Sequence, residues 1–142
     1  MSRVINTDST GKHRSQALRS IAELLRRLTQ KTEVDNETRD MVAALVFCLR
    51  EIEEGIESSA DVWDKRGYYM KADELRTRWD WVSRMAAELE RLMLSAAWDE
   101  LPALLIKLLP RVSDIKITKL TRKDDLWDGK YDEFMRRQSP DV

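Results

Sequence analysis

The chain has 142 residues, 42% of them hydrophobic and 36% charged, with 25 Lys and Arg against 26 Asp and Glu. Four glycines and three prolines fall well short of the roughly 12% that turn-formers usually contribute. Turns must therefore be few and elements long, which argues against a β-sandwich, a Gly-loop nucleotide fold and a disordered chain. A chain of this size buries about 68–70% of its unfolded surface, so it can hold a core without covalent staples.

The single cysteine, Cys48, rules out an internal disulfide. The longest apolar run, Met41 to Leu49, has nine residues, whereas a membrane span needs about 20. The first eight residues lack the apolar centre of a secretory leader. A cytoplasmic location without a membrane partner is therefore expected. The only histidine, His13, leaves no Ser-His-Asp triad and no zinc site of the Cys/His type. Glu-x-x-His, the di-iron bundle motif, does not occur. No catalytic residue, metal or cofactor is expected.

Residues 1–12 are polar and end in Ser9-Thr10-Gly11, which reads as a flexible N-terminal arm closed by a turn or cap. A first helix is expected over 13–31, because Leu18, Ile21, Leu25 and Leu28 recur at helical spacing. Asp35 or Asn36 can cap the next helix. There Met41, Leu45, Cys48, Ile52, Gly55, Ser59 and Val62 alternate by four and three. Val42, Leu49, Ile56 and Trp63 widen that stripe, which implies two neighbouring helices.

After Gly67 the pattern restarts with Ala72, Leu75, Trp79, Val82, Ala86, Leu89 and Met93. It predicts one long third helix to about Ala97. Folded about Gly67, the two ladders set Ile52 against Val82, Leu45 against Leu89, and Gly55 as a notch for Trp79. Asp99-Glu100-Leu101-Pro102 reads as the start of a short, leucine-rich fourth helix that closes the bundle and ends or kinks at Pro110. Residues 111–123 read as a basic linker, helical or extended. Trp127, Tyr131 and Phe134 then mark an amphipathic tail docking on the bundle or on a partner. The expected fold is all-α: an elongated antiparallel bundle of three long helices plus a shorter fourth over 13–110, with a C-terminal tail segment over 111–142.

Three groups of residues are candidates for function. Lys12, His13 and Arg14 gather near a helix start with Ser9 and Thr10, and Arg19 and Arg26 continue the line from Lys12 at seven-residue spacing. Such a set can hold phosphate or nucleic acid. It is not a P-loop, since Asn6 stands where the first glycine should be and His13 follows Lys12. Glu54, Glu57, Asp61 and Asp64 stack on one stripe that could serve a divalent metal, but the stripe lies off the seam and reads as a solvated face. Glu51-x-x-Glu54 matches half of the pattern of all-α nucleotide pyrophosphohydrolases. The third helix lacks the second half, since Glu74 is followed by Thr77 and Glu88 by Arg91. Third, Trp81, Trp98, Trp127, Tyr131 and Phe134 exceed what one seam can hold, and surplus aromatics favour protein interfaces. Trp81 in particular should lie about 200° round the third helix from Trp79, and so needs a cover of its own.

Charge is segregated along the chain: +5 over 1–31 and −6 over 32–66. Residues 67–100 carry −2 and 101–142 carry +2. Together with a pI near 5.9, this suggests that the first helix packs beside the acidic second, and nucleic acid is not the favoured partner. The expected function is a non-catalytic protein-interaction or self-assembly module, a homo-oligomer being plausible. The alternatives are a nucleic-acid or phosphate-ligand binder through the first helix, and a divalent-metal-dependent hydrolase on the acidic stripe.

Overall fold

The structure, a computed structural model, describes residues 7–138. Among these residues six α-helices follow in chain order: α1 Thr7–Leu28, α2 Asn36–Lys65, α3 Tyr69–Arg78, α4 Asp80–Leu94, α5 Leu101–Val112 and α6 Lys130–Arg137. Among the described residues there is no strand, and no helix is long and apolar enough to cross a membrane. The protein is all-α, with helices packed side by side around one core.

Helix α1 begins at Thr7 rather than His13, so Ser9, Thr10 and Gly11 lie within its first turns. Of the expected flexible arm, residues 1–6 lie outside the described part of the chain. Ala17, Ile21, Leu24, Leu25 and Leu28 are buried along one stripe. The Asp35 carboxylate starts α2 by accepting the Thr38 amide N–H at 2.8 Å, which satisfies a donor the helix itself leaves unpaired. That bond, with the Lys31 ammonium at 3.0 Å, holds the Asp35 carboxyl well below the usual carboxylate range.

Every position from Met41 to Val46 is buried, so this part of α2 is covered on all sides. Helix α1, the α3–α4 arm and α6 share the covering. The sequence led to an expectation of two neighbours; the third is α6, at the other end of the chain.

Antiparallel pairing about Gly67 is present. Arg50 of α2 holds Glu90 of α4 with two hydrogen bonds, 3.1 and 2.6 Å. Arg76 of α3 reaches Asp64 at 2.9 Å, Glu57 at 3.3 Å and Asp61 at 3.4 Å. The expectation of three long helices fails in one respect: the third is divided. At Trp79 the backbone leaves helical geometry, with φ −105° and ψ 9°, and α3 ends while α4 begins. Only Ala72 of α3 is buried, so little packing enforces a straight continuation.

Gly55 is not the notch expected for Trp79. A Cβ placed there would meet Thr10 of α1 at an ordinary 3.7 Å. Helix α5 continues through Pro110 to Val112. Residues 113–123 then cross α1 as an irregular connection, and α6 packs on α2. Among the described residues no ion pair joins α1 to α2. The two helices meet along apolar stripes, and the basic edge of α1 turns to the C-terminal segment instead.

Candidate interaction surfaces

The arginines of α1 have internal partners. Arg14 lies over the Trp79 ring at 5.1 Å. Arg19 donates to the Lys119 carbonyl at 3.2 Å and to Glu23 at 3.2 Å, and Arg26 donates to the Ile117 carbonyl. Lys12 and His13 are exposed. The five residues proposed for phosphate or nucleic acid are thus not one free patch: three of them are engaged with the chain itself.

The centre of that arrangement is Glu23, which no motif singled out. Its side chain is 0% exposed. Thr121 donates both its amide N–H and its hydroxyl at 2.7 Å, and Arg122 its amide N–H at 2.8 Å. Arg122 also donates to the Ser20 hydroxyl at 2.8 Å. Burial pushes the Glu23 carboxyl up. The Arg122 amide, the Thr121 hydroxyl and amide, and the Arg122 charge outweigh it and hold the carboxyl below its ordinary 4.5. A carboxylate placed among donors in this way is a clasp for the C-terminal segment. Its only trace in the sequence is an acid on the buried side of an otherwise basic helix.

The aromatic candidates divide between two places. Trp127 is 1% exposed and Phe134 is buried, so both belong to the core of this chain. Arg27 lies over Trp127 at 4.9 Å. The Asp40 carboxylate accepts the amide N–H groups of Gly129 and Tyr131 at 3.2 and 3.0 Å, fixing the start of α6 on α2. Trp98 and Tyr131, both half-buried, meet at 6.0 Å.

Trp81 lies elsewhere. The break at Trp79 removes the 200° separation, and the two rings lie 6.1 Å apart. Arg111 of α5 covers Trp81 at 5.1 Å. This gives Trp81 the cover of its own that it needed, and the ring remains half-buried.

Among the described residues, large apolar side chains are exposed singly at Leu94, at the end of α4, and together at two sites. The first is the outer face of α5. Leu101, Leu105, Leu108 and Val112 point into the core, while Pro102, Ala103, Ile106, Leu109 and Pro110 are exposed. Ile106 is 66% and Leu109 42% exposed. Beside this face runs a groove of about 440 Å³ between α5 and the α1–α2 connection, its apolar wall including Leu28, Val34, Trp98 and Ile106. Glu33 and Asp99 stand on its rim. The one cation there, Lys31, is already held by Glu37 at 2.6 Å and Asp35 at 3.0 Å. The second site is the α2–α3 turn, where Tyr69 is 65% and Met70 79% exposed. The sequence hinted at the first: α5 carries more apolar residues than one buried stripe can use.

Other chemistry is sparse. Cys48 is buried, and burial pushes its thiol up to about 12, which keeps it unreactive. Three of the four acids on the α2 stripe converge on Arg76. Among the described residues no group of three or more His, Cys, Asp or Glu could hold a metal ion. Comparison with known proteins finds no match, whether to a protein family, to a curated sequence or to a solved structure.

Proposed function

We propose that the chain is a non-catalytic protein-interaction module acting through the outer face of α5. One observation carries this: Pro102, Ala103, Ile106, Leu109 and Pro110 form an exposed apolar arc on α5, bordered on one side by the exposed Lys107 and Arg111 and on the other by a largely apolar groove. Contiguous exposed apolar surface marks interaction sites. The engagement of Arg14, Arg19 and Arg26 within the chain supports this reading over a phosphate or nucleic-acid ligand. The guanidinium of Arg76 among the acids of α2 supports it over a metal hydrolase. A single buried thiol fits a reducing compartment such as the cytoplasm.

The test compares wild type with Ile106→Glu. At 66% exposure the new carboxylate can remain in water, so the fold is retained. Wild type should associate, with itself in light scattering or with a protein retained on a wild-type column but not on an I106E column. If both proteins are monomeric and retain the same material, the face is not an interface. A labelled oligonucleotide at low salt should not bind either protein; tight binding that weakens steeply with salt would revive the basic-helix reading.

A further inference from the structure

We propose that the partner of the α5 groove is a second copy of this chain, which inserts the turn between its α2 and α3, so that molecules join head to tail. This inference rests on the interaction-module reading above and names the occupant.

The two exposed apolar sites complement each other. The turn presents Tyr69 and Met70 outward, and Tyr68 lies edge-on to Trp63 at 5.7 Å. Beside it Lys65 and Arg66 are exposed, with no carboxylate partner among the described residues, and Lys71 lies over the Trp63 ring at 4.9 Å; of the acids nearby, Asp64 and Asp73 face Arg76, and Glu74 is exposed one helical turn on from Met70. The groove has the opposite character. Its walls are mostly apolar with three threonines among them, its rim acids Glu33 and Asp99 are exposed and unpaired among the described residues, and its one cation is neutralised locally. An apolar projection with a positive collar fits an apolar groove with a negative rim, and complementary charge fixes the orientation of such a contact.

The same molecule cannot supply both halves. The groove lies by Thr38, at the start of α2, and the turn follows Lys65, at its end. Thirty residues of helix at about 1.5 Å each keep the two roughly 45 Å apart. The projection is held firmly at its own end. Gly67 takes the left-handed conformation at φ 81°, and the Tyr68 amide N–H donates to the Trp63 carbonyl at 2.9 Å. Because the surfaces differ, the contact is heterologous. It leaves a free turn at one end and a free groove at the other, and adds further copies unless the rotation closes a ring.

Two variants and their mixture test this. Tyr69→Glu/Met70→Glu alters the turn, and Ile106→Glu alters the groove. All three positions are more than half exposed, and unchanged far-ultraviolet circular dichroism confirms the fold. In light scattering, the wild-type mass should rise with concentration. Each variant alone should stay at the monomer mass. Their equimolar mixture should recover one species of twice that mass and nothing larger, because it pairs the intact groove of one with the intact turn of the other. A mixture that stays monomeric overturns the proposal, as does wild type that is monomeric throughout. If Ile106→Glu abolishes association and the turn variant associates like wild type, two α5 faces meet symmetrically. The head-to-tail contact then falls while the interaction module stands.

Discussion

Two residues at helix ends occupy the same backbone conformation with opposite chemistry. Gly67 after α2 and Ala96 after α4 both have positive φ, 81° and 54°. Each closes its helix with the same pair of bonds. Tyr68 donates to the Trp63 carbonyl and Gly67 to Asp64; Ala97 donates to the Leu92 carbonyl and Ala96 to Met93. Glycine adopts this conformation freely, whereas a Cβ costs roughly 1–2 kcal/mol, offset in part by the looser unfolded chain that glycine brings. Gly67→Ala should therefore lose about 1 kcal/mol and Ala96→Gly gain up to about 1 kcal/mol, read from denaturation midpoints. Equal effects of one sign would show that the two turns are not equivalent. The turn at Gly67 was legible because a glycine interrupts two apolar ladders. The one at Ala96 was not, since alanine favours the helix it ends. Gly55 is the reverse case. Its position opposite Trp79 was inferred from ladders drawn on straight helices, and the break at Trp79 invalidates that register. With only Thr10 at 3.7 Å to meet, Gly55→Ala should add about 0.5–1 kcal/mol in the same measurement through helix propensity alone. A loss would mean that α1 packs too closely there for a methyl group.

Among elements, α1 and α2 were legible because a buried stripe repeats every three or four residues. The division of the third helix was not, because the ladder from Ala72 to Met93 continues unbroken across Trp79. The place of the C-terminal segment was half legible. Its aromatics announced docking, but the anchor is a hydrogen-bonded carboxylate, which leaves no periodic trace. That anchor makes a prediction. Glu23→Gln replaces an acceptor oxygen with an amide facing the N–H groups of Thr121 and Arg122. Loss of charge-assisted bonds at a buried site costs about 1.5–3 kcal/mol each, so the segment over 113–138 should open locally. Cys48 reports this, since it shares a cavity with Ser20, Arg122 and Leu126. Its labelling by a disulfide reagent should be slow in wild type and at least tenfold faster in E23Q. Acid should act similarly. The folded Glu23 carboxyl lies below its ordinary 4.5, so its contribution is complete above that pH and disappears as pH falls through the lower folded value. Cys48 protection should therefore hold at pH 5 to 7 and weaken below about pH 4.5 in wild type. In E23Q this step should be missing; a step of equal size there would assign the acid sensitivity to another group.

For the whole molecule, the near balance of 25 basic and 26 acidic residues conceals an arrangement that the order of charges along the chain showed only in part. That order suggested basic α1 against acidic α2. The structure instead turns the arginines of α1 to backbone carbonyls and a tryptophan ring, and draws three α2 acids to Arg76. Among the described charges without an ion pair are Glu33 and Asp99 by the groove and Lys65 and Arg66 by the turn. Such polarity appears only after folding, because residues 33 and 99 are brought to one rim by the packing of α5 against α1. Salt should therefore separate folding from assembly. The Debye length falls from about 10 Å at 0.1 M to about 3 Å at 1 M, so exposed rim and collar charges lose most of their attraction across a contact. Ion pairs on the surface of the folded chain contribute little to stability even at low salt. Raising sodium chloride from about 0.05 to about 0.5 M, which shortens the Debye length roughly threefold, should lower the mass in light scattering toward the monomer while the thermal midpoint stays nearly constant. Glu33→Lys should reproduce at low salt what wild type shows at high salt. Were association to strengthen with salt, burial of Tyr69 and Met70 alone would be holding the copies together, and the charged rim would have no part in choosing the partner.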